Sequence, residues 1–467
     1  MVGSHDPNFQ HETWSSQRAF LLATIGGAVG LGNLWRFPYH AGENGGGAFV
    51  LVYIAFVILL CLPLVIAELA LGRMGKSSAL STMRRLTTET GASSLWRIVG
   101  WLSIAIPFAA MTYYAIIGGW TIDYVAKAAT GSFSGVTGEE SGAMFGELVS
   151  SPGRLLLLHG LFIGGGVFVV ARGLGNGIEL IMKYMMPALF VLLILLALNS
   201  IFREDIGAGL SFMFNADFSK ITPGVAIMAL GQAFFSVTVG AGLLMTYGAY
   251  LPEEVTLGRA AVTIVIADTV IALLAGIIIF PIVFSSGLSP AEGAGLTYIT
   301  LPIAFGSMPG GYIIGLMFFI TLFFAAFSSV IAMLEPPVCF LVEHKGSSRA
   351  QMTVALGVTG FLLGLFPALG LNVWSDVRLF PGSELLGDKD ILDTIDFFVG
   401  SVGIPLNAAI MAAFAGWVLS KSRLFEGLGL KNEALANYVR FTLRFVAPLT
   451  IGLLLLGNFV DLAALFS

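Results

Sequence analysis

The sequence predicts an all-α transmembrane fold of eleven spans, arranged as a 5+5 inverted repeat with broken first and sixth helices. Three observations carry this expectation. The chain of 467 residues is 57% hydrophobic and only 11% charged, more apolar surface than a soluble fold of this length can bury. Its apolar runs repeatedly reach the roughly 17–20 residues needed to cross about 30 Å of hydrocarbon. Two of these runs, five spans apart, are interrupted by glycines: Gly26, Gly27, Gly30 and Gly32 in the first, Gly240 to Gly242 in the sixth.

The eleven runs fall at 17–40, 47–73, 95–129, 154–172, 176–202, 223–251, 257–286, 309–342, 350–368, 391–420 and 433–463. Several exceed the minimum and predict tilt or extension beyond the bilayer. Residues 1–16 form a polar segment without the basic start and short apolar core of a cleavable signal, so the first span is expected to be retained. Arg73, Lys76, Arg84, Arg85 and Arg97 follow the second span, Lys345 and Arg349 the eighth, and Lys421, Arg423 and Lys431 the tenth. Glu139, Glu140, Glu147, Asp205, Glu384 and Asp390 crowd the opposite side. The basic loops face the cytoplasm, which puts the amino terminus inside and the carboxyl terminus outside.

An offset of five spans reverses orientation, so 17–202 and 223–420 read as inverted five-helix units, with 433–463 left over. Broken helices in matching positions of two halves point to a transport site, because unwound backbone at membrane depth needs protein, ion or substrate partners. Glycines that only allow close helix packing are the competing explanation, and the symmetric placement beside polar residues weighs against it. The net charge of −5 gives no basis for nucleic-acid binding. Cys61 and Cys339 stand in apolar helical context as small hydrophobes. The histidines at 5, 11, 40, 159 and 344 lack metal spacing, and no GxSxG or HExxH occurs, so an enzyme is not expected.

The stretch "GGAVGLGNLWRFPYHAGENGGGAF" (26–49) resembles the first-span signature of the neurotransmitter:sodium symporters. The resemblance is to the bacterial LeuT-like sodium-coupled amino-acid transporters in particular. It recurs in "PLVIAELALGR" (63–73), "GQAFFSVTVGAG" (231–242), "FFAAFSSVIAM" (323–333) and "LDTIDFF" (392–398). It covers nearly the whole chain. It implies a LeuT fold and sodium-coupled symport of an amino acid by alternating access, in the lipid bilayer of a bacterial inner (plasma) membrane.

By this resemblance, one sodium ion would contact the Ala28 carbonyl, Asn33, Ser236 and Asp268, with the substrate carboxylate completing the shell. A second would take the Gly26, Val29 and Ala325 carbonyls and the Ser328 and Ser329 hydroxyls. Sodium is a hard cation, and these are oxygen donors. Asp268 is a departure, since LeuT has Asn there and a Glu four residues on, where this chain has Ala272. A fixed carboxylate supplies the anion that animal relatives draw from chloride, so no chloride requirement is expected.

Gly30 stands where animal monoamine carriers place an aspartate, which implies a substrate that brings its own carboxylate. The Leu31 and Gly32 N–H groups and Tyr114 would hold that carboxylate. The Ala28 and Phe235 carbonyls and Thr238 would meet the amine. Ala110, Tyr114, Phe235, Ala241, Ser329 and Met333 would wall the side-chain pocket, and alanines at 110 and 241 leave room for a bulky hydrophobic or aromatic group. Betaine or imino-acid transport is the alternative within the class. A channel is the alternative outside it, although continuous flux needs no substrate-shaped cavity.

The resemblance pairs Arg36 with Asp396 at an outer gate, above a lid of Phe235 and Tyr114; snorkelling of Arg36 is the alternative. At the inner gate it implies Trp14, with His11 where an arginine is usual and Glu343 as the acid. Lys345 and Arg18 are the other cations in reach, and the sequence leaves that choice open. Gly177 and Pro187 both weaken helix hydrogen bonding, and the resemblance implies that they mark a segment of the fifth span able to unwind. Glu68 is expected to bond to the freed backbone of the sixth helix. The oligomeric state is left open.

Overall fold

The computed structural model describes residues 12–202, 206–290, 295–430 and 432–459, and all regular structure among them is helical. Nine helices there are long and apolar enough to cross a membrane, and the bent pair Gln17–Ala28 and Gly32–Glu43 makes a tenth. The expected sixth span consists of two shorter helices, Pro223–Val237 and Leu243–Ala249, neither of which is long enough to cross alone. Helices also fill connections that the sequence left as loops. One of them, Ala79–Glu89, buries Leu80, Met83 and Leu86 while exposing Arg84 and Arg85, as an interfacial amphipathic helix does.

The first break begins at Val29, whose extended backbone (φ −69°, ψ 112°) ends Gln17–Ala28. The chain resumes in a π-type turn, Gly32–Arg36, with the two halves bent by 49°. Glycines weaken the helix here and admit neighbours. A Cβ on Gly27 would lie 2.7 Å from Leu243 Cδ2, and one on Gly32 would lie 2.9 Å from the Phe235 ring. The sixth span can therefore approach the first only because these side chains are missing.

The second break runs through Thr238, Gly240 and Gly242, all in the left-handed region (φ +54°, +89° and +85°). Glycine adopts this conformation freely and threonine does not. Glu68, fully buried on the second span, closes the gap: its carboxylate accepts from the backbone N–H of Gly240 (2.7 Å), Gly242 (3.1 Å) and Met245 (3.4 Å). Asn407 Nδ2 donates to the Gly240 carbonyl at 2.7 Å, and Gln232 Nε2 donates to the Gly32 carbonyl at 2.8 Å. Side chains at membrane depth thus supply the partners that lipid cannot.

Gln17–Ala28 packs against Gly311–Lys345, Leu257–Ser285 and Leu180–Ile201, while Leu243–Ala249 packs against Leu62–Gly75. Pro223–Val237 lies along Gly47–Phe56, and the long helices Ile98–Ala129 and Gly311–Lys345 run against each other. The two breaks meet at the centre of this packing.

Candidate substrate and cation site

A closed cavity lies between the breaks. Ala28, Gly30, Gly32, Ala110, Tyr114, Phe235, Thr238, Ala241, Ser329 and Met333 line it, together with Gly27, Ile106, Pro107, Tyr113, Leu243, Ala332 and Ile404. Leu31 is not in the wall, but its N–H donates to the Tyr114 hydroxyl at 3.1 Å. Most of the lining is apolar, with polar atoms gathered at the broken backbone. That contrast suits a ligand with one charged end and one greasy end.

A Cβ on Gly30 would lie 2.6 Å from Ser329 Oγ and 2.8 Å from Tyr114 Oη, so any side chain at 30 would occupy the space in front of those hydroxyls. Thr238, also in the wall, holds a conformation that costs a β-branched residue about 1–3 kcal/mol. Its Oγ1 is buried without a hydrogen-bond partner among the described residues. The wall thus carries a strained residue whose hydroxyl has no partner among the described residues.

Beside the cavity, Asn33, Ser236 and Asp268 form one buried cluster. Asn33 Nδ2 donates to Ser236 Oγ (2.9 Å) and to Asp268 Oδ1 (2.8 Å), and Ser236 Oγ donates to Asp268 Oδ2 (2.6 Å). The Gly30 N–H donates to Asn33 Oδ1 at 3.1 Å, and Tyr53 donates to Ser236 Oγ at 3.1 Å, a contact that no local pattern predicts. Asp268 makes no ion pair among the described residues, and a fully buried carboxylate in that position calls for a cation.

A second set of oxygens joins the first span to the eighth. Ser329 Oγ donates to the carbonyls of Val29 (3.4 Å) and Ala325 (3.2 Å), and Ser328 Oγ donates to Ala325 (3.0 Å). Gly26 lies on the preceding turn, against the sulfurs of Met182 and Met186. Two serines bonded back to their own helix are ordinary; the bond across to Val29 is what brings the broken span into the group.

Comparison with known proteins accounts for this arrangement. The profile described as "Sodium:neurotransmitter symporter family" matches residues 11–138 and 154–465. The chain belongs to this family. It is 36% identical to an uncharacterized sodium-dependent transporter of Bacillus subtilis, over 94% of this chain and 95% of that protein. A second uncharacterized sodium-dependent transporter, from Haemophilus influenzae, is 33% identical over 97% of this chain and 99% of its own length. The crystal structure of MhsT in complex with L-phenylalanine is similar with a TM-score of 0.88 at 38% identity, covering 96% of this chain and 100% of that one. The protein is a sodium-dependent membrane transporter with the LeuT fold, and not an enzyme.

A symporter must close its site from each side in turn. On one side a second cavity, holding Leu31, Trp35, Arg36, Tyr39, Asp393 and Asp396, shares Tyr113, Tyr114 and Phe235 with the first. Those three aromatic side chains separate the two spaces. The Arg36 guanidinium lies 4.3 Å from the centroid of the Phe235 ring, a cation–π contact on top of the lid. Arg36 makes no direct ion pair with Asp396; its Nε donates to His40 Nε2 at 3.2 Å. His40 went unread in the sequence, although a histidine four residues after an intramembrane arginine was a legible signal.

The other side differs from the sequence expectation. Trp14 is buried, with its backbone N–H on the Tyr250 carbonyl and its indole Nε1 on the Tyr247 carbonyl, both at 3.0 Å. His11 lies outside the described residues. Glu343 faces neither Lys345 nor Arg18: its carboxylate accepts from the Ser78 N–H at 2.8 Å. The ionic contacts run instead through Glu335, fully buried, which accepts from Tyr250 (2.6 Å) and pairs with Arg349. Arg349 also approaches Glu12 at 3.6 Å. Glu335 and Glu343 lie two turns apart on one helix, and sequence alone does not say which of them turns inward.

The same network holds the start of the fifth span. Glu12 accepts from the Leu174 N–H (2.6 Å), and Ser15 donates through its N–H (2.8 Å) and Oγ (2.5 Å) to Glu179. Gly177 lies within this π-type turn, Leu174–Glu179, where a Cβ would come 2.1 Å from the Val169 carbonyl. Pro187 lies inside the helix that follows, Leu180–Ile201.

Proposed function

We propose that the protein carries a neutral α-amino acid with a bulky hydrophobic or aromatic side chain, coupled to two sodium ions and without chloride. The observation that supports this reading is Gly30 in the cavity wall: with no side chain of its own it leaves the Ser329 and Tyr114 hydroxyls, 2.6 and 2.8 Å from where a Cβ would stand, available to a substrate carboxylate. The orphaned Thr238 hydroxyl and the apolar wall of Ala110, Ala241 and Met333 suit the amine and the side chain. MhsT, with its bound L-phenylalanine, supports the aromatic class.

In this reading the first sodium takes the Asn33–Ser236–Asp268 cluster and the Ala28 carbonyl. Rotation of the Asn33 amide presents Oδ1 in place of the donating nitrogen. The substrate carboxylate is the remaining ligand, so each binds poorly without the other's charge, and that mutual dependence is the coupling. The second sodium takes the Gly26, Val29 and Ala325 carbonyls with the Ser328 and Ser329 hydroxyls, and so ties the first span to the eighth. Arg36 and Asp396 act over the lid of Phe235 and Tyr114, and Trp14 with Glu12, Arg349 and Glu335 closes the opposite end. Unwinding at Gly177 and Pro187 admits water from that side. The membrane is the bacterial inner membrane, with the amino terminus in the cytoplasm and the carboxyl terminus outside.

A thermal-shift or scintillation-proximity screen of the twenty amino acids, with and without sodium, tests the reading. Sodium-dependent binding of aromatic and large aliphatic amino acids is expected, and no sodium-dependent hit would overturn it.

A further inference from the structure

The eleventh span carries two arginines one turn apart, Arg440 and Arg444, in a helix otherwise apolar enough to cross the membrane. Charges in a membrane span are costly unless paired, and like charges at i,i+4 repel. Among the described residues neither arginine forms an ion pair, and the Nε of each is buried with no acceptor. The nearest acid on this helix, Glu433, is engaged with Lys421 at 3.6 Å.

The surroundings face outward. The Arg444 guanidinium lies 4.2 Å from the Trp417 ring centroid, and the Trp417 indole Nε1 donates to the Arg444 carbonyl at 2.9 Å. Trp417 is 53% exposed and Phe441 55%, so the rest of the chain leaves this side of the helix uncovered. Trp417 is also the last residue but one of its span, Ile391–Val418, which puts the group near the headgroup layer. Gly416 makes the approach possible, since a Cβ there would lie 2.8 Å from Arg444 Cγ.

We propose that Arg440 and Arg444 bind the phosphate of an anionic membrane phospholipid. The guanidinium fork matches phosphate oxygens, and a headgroup at the edge of the hydrocarbon supplies the acceptors that the protein lacks. A headgroup with one net negative charge offsets one of the two arginine charges, whereas a zwitterionic headgroup brings its own cation and offsets neither in net charge, so the site selects net negative charge. Nothing in this assignment depends on the identity of the transported solute.

The test is native mass spectrometry of the full chain, presented with phosphatidylglycerol and phosphatidylcholine in equal amounts. The wild type should retain phosphatidylglycerol with about a 30-fold preference, the value expected of two cations near the bilayer surface. Arg440→Gln alone should reduce that to about fivefold, and the Arg440→Gln/Arg444→Gln pair should abolish it. Arg440→Lys/Arg444→Lys should keep most of it, which separates charge from a folding defect. No preference in the wild type, or one unchanged in both glutamine variants, overturns the proposal. Displacement of the lipid by millimolar inorganic phosphate assigns the site to a free anion and overturns it equally.

Discussion

Gly30 and Ser329 approach so closely that a Cβ on residue 30 would lie 2.6 Å from the serine Oγ. Gly30→Ala therefore places a methyl group where the proposed carboxylate sits. Overpacking of this kind costs about 1–3 kcal/mol, so amino-acid binding should weaken roughly 5- to 150-fold. Gly146→Ala, at a glycine with nothing within 4 Å of the added carbon, should leave binding unchanged. Scintillation-proximity titration in saturating sodium reads both. Equal affinities in the two variants would remove the carboxylate from this position.

Asp268 is fully buried, and its carboxylate is bonded to Asn33 and Ser236 without a cationic side chain to balance it. Uptake should therefore proceed equally in chloride and in gluconate. In the proposed reading Asp268→Asn removes the charge that a first sodium ion would meet, and the loss of one partner from a buried pair is worth about 3 kcal/mol or more. Sodium affinity should fall by roughly 100-fold or more as a result. Collapse of wild-type uptake in gluconate would contradict the role given to Asp268.

Much of this was legible before any coordinates. The two breaks were readable because glycines in an apolar run leave backbone groups that lipid cannot satisfy. The cavity residues followed from the family resemblance, and all of those it named except Leu31 line the cavity. Gln232 and Asn407 were readable in principle as polar residues at membrane depth, but their partners lie 200 and 167 residues away in sequence, and Glu335 bonds to Tyr250 across 85 residues as well as to the nearby Arg349. Local pattern carries no such pairing. Glu343 shows the same limit: its place near the end of a long helix was clear, its partner Ser78 was not. The strain at Thr238 is a backbone property, and a threonine gives no hint of it.

Thr238 separates stability from binding. Its left-handed backbone (φ +54°) is one that glycine adopts without strain. Thr238→Gly should relieve about 1 kcal/mol or more of strain and raise the unfolding midpoint in the absence of substrate. The same change removes the hydroxyl offered to the substrate amine, and a hydrogen bond to a charged group is worth about 1.5–3 kcal/mol. Affinity should fall roughly 10- to 150-fold while the apo protein becomes more stable. A variant that is more stable and binds normally would assign the strain to the fold alone.

Glu12 joins three elements that alternating access must separate: it accepts from Leu174 and pairs with Arg349, which in turn holds Glu335 and through it Tyr250. Removing its carboxylate breaks the N-terminal segment's contact with the start of the ninth span and one of its contacts with the fifth, leaving the Ser15–Glu179 bonds. Glu12→Ala should then favour opening on this side. Cys339 reports on that event, because it is buried beside Tyr250, whereas Cys61 is buried on the second span. In permeabilised cells, maleimide labelling of Cys339 should accelerate several-fold in Glu12→Ala, and Cys61 should stay unreactive. Sodium should slow the labelling in both proteins by favouring the closed arrangement. If Cys339 reacts no faster once Glu12 is gone, the clamp lies elsewhere, and Trp14, packed at 5.1 Å against the Tyr247 ring, becomes the element that keeps this side shut.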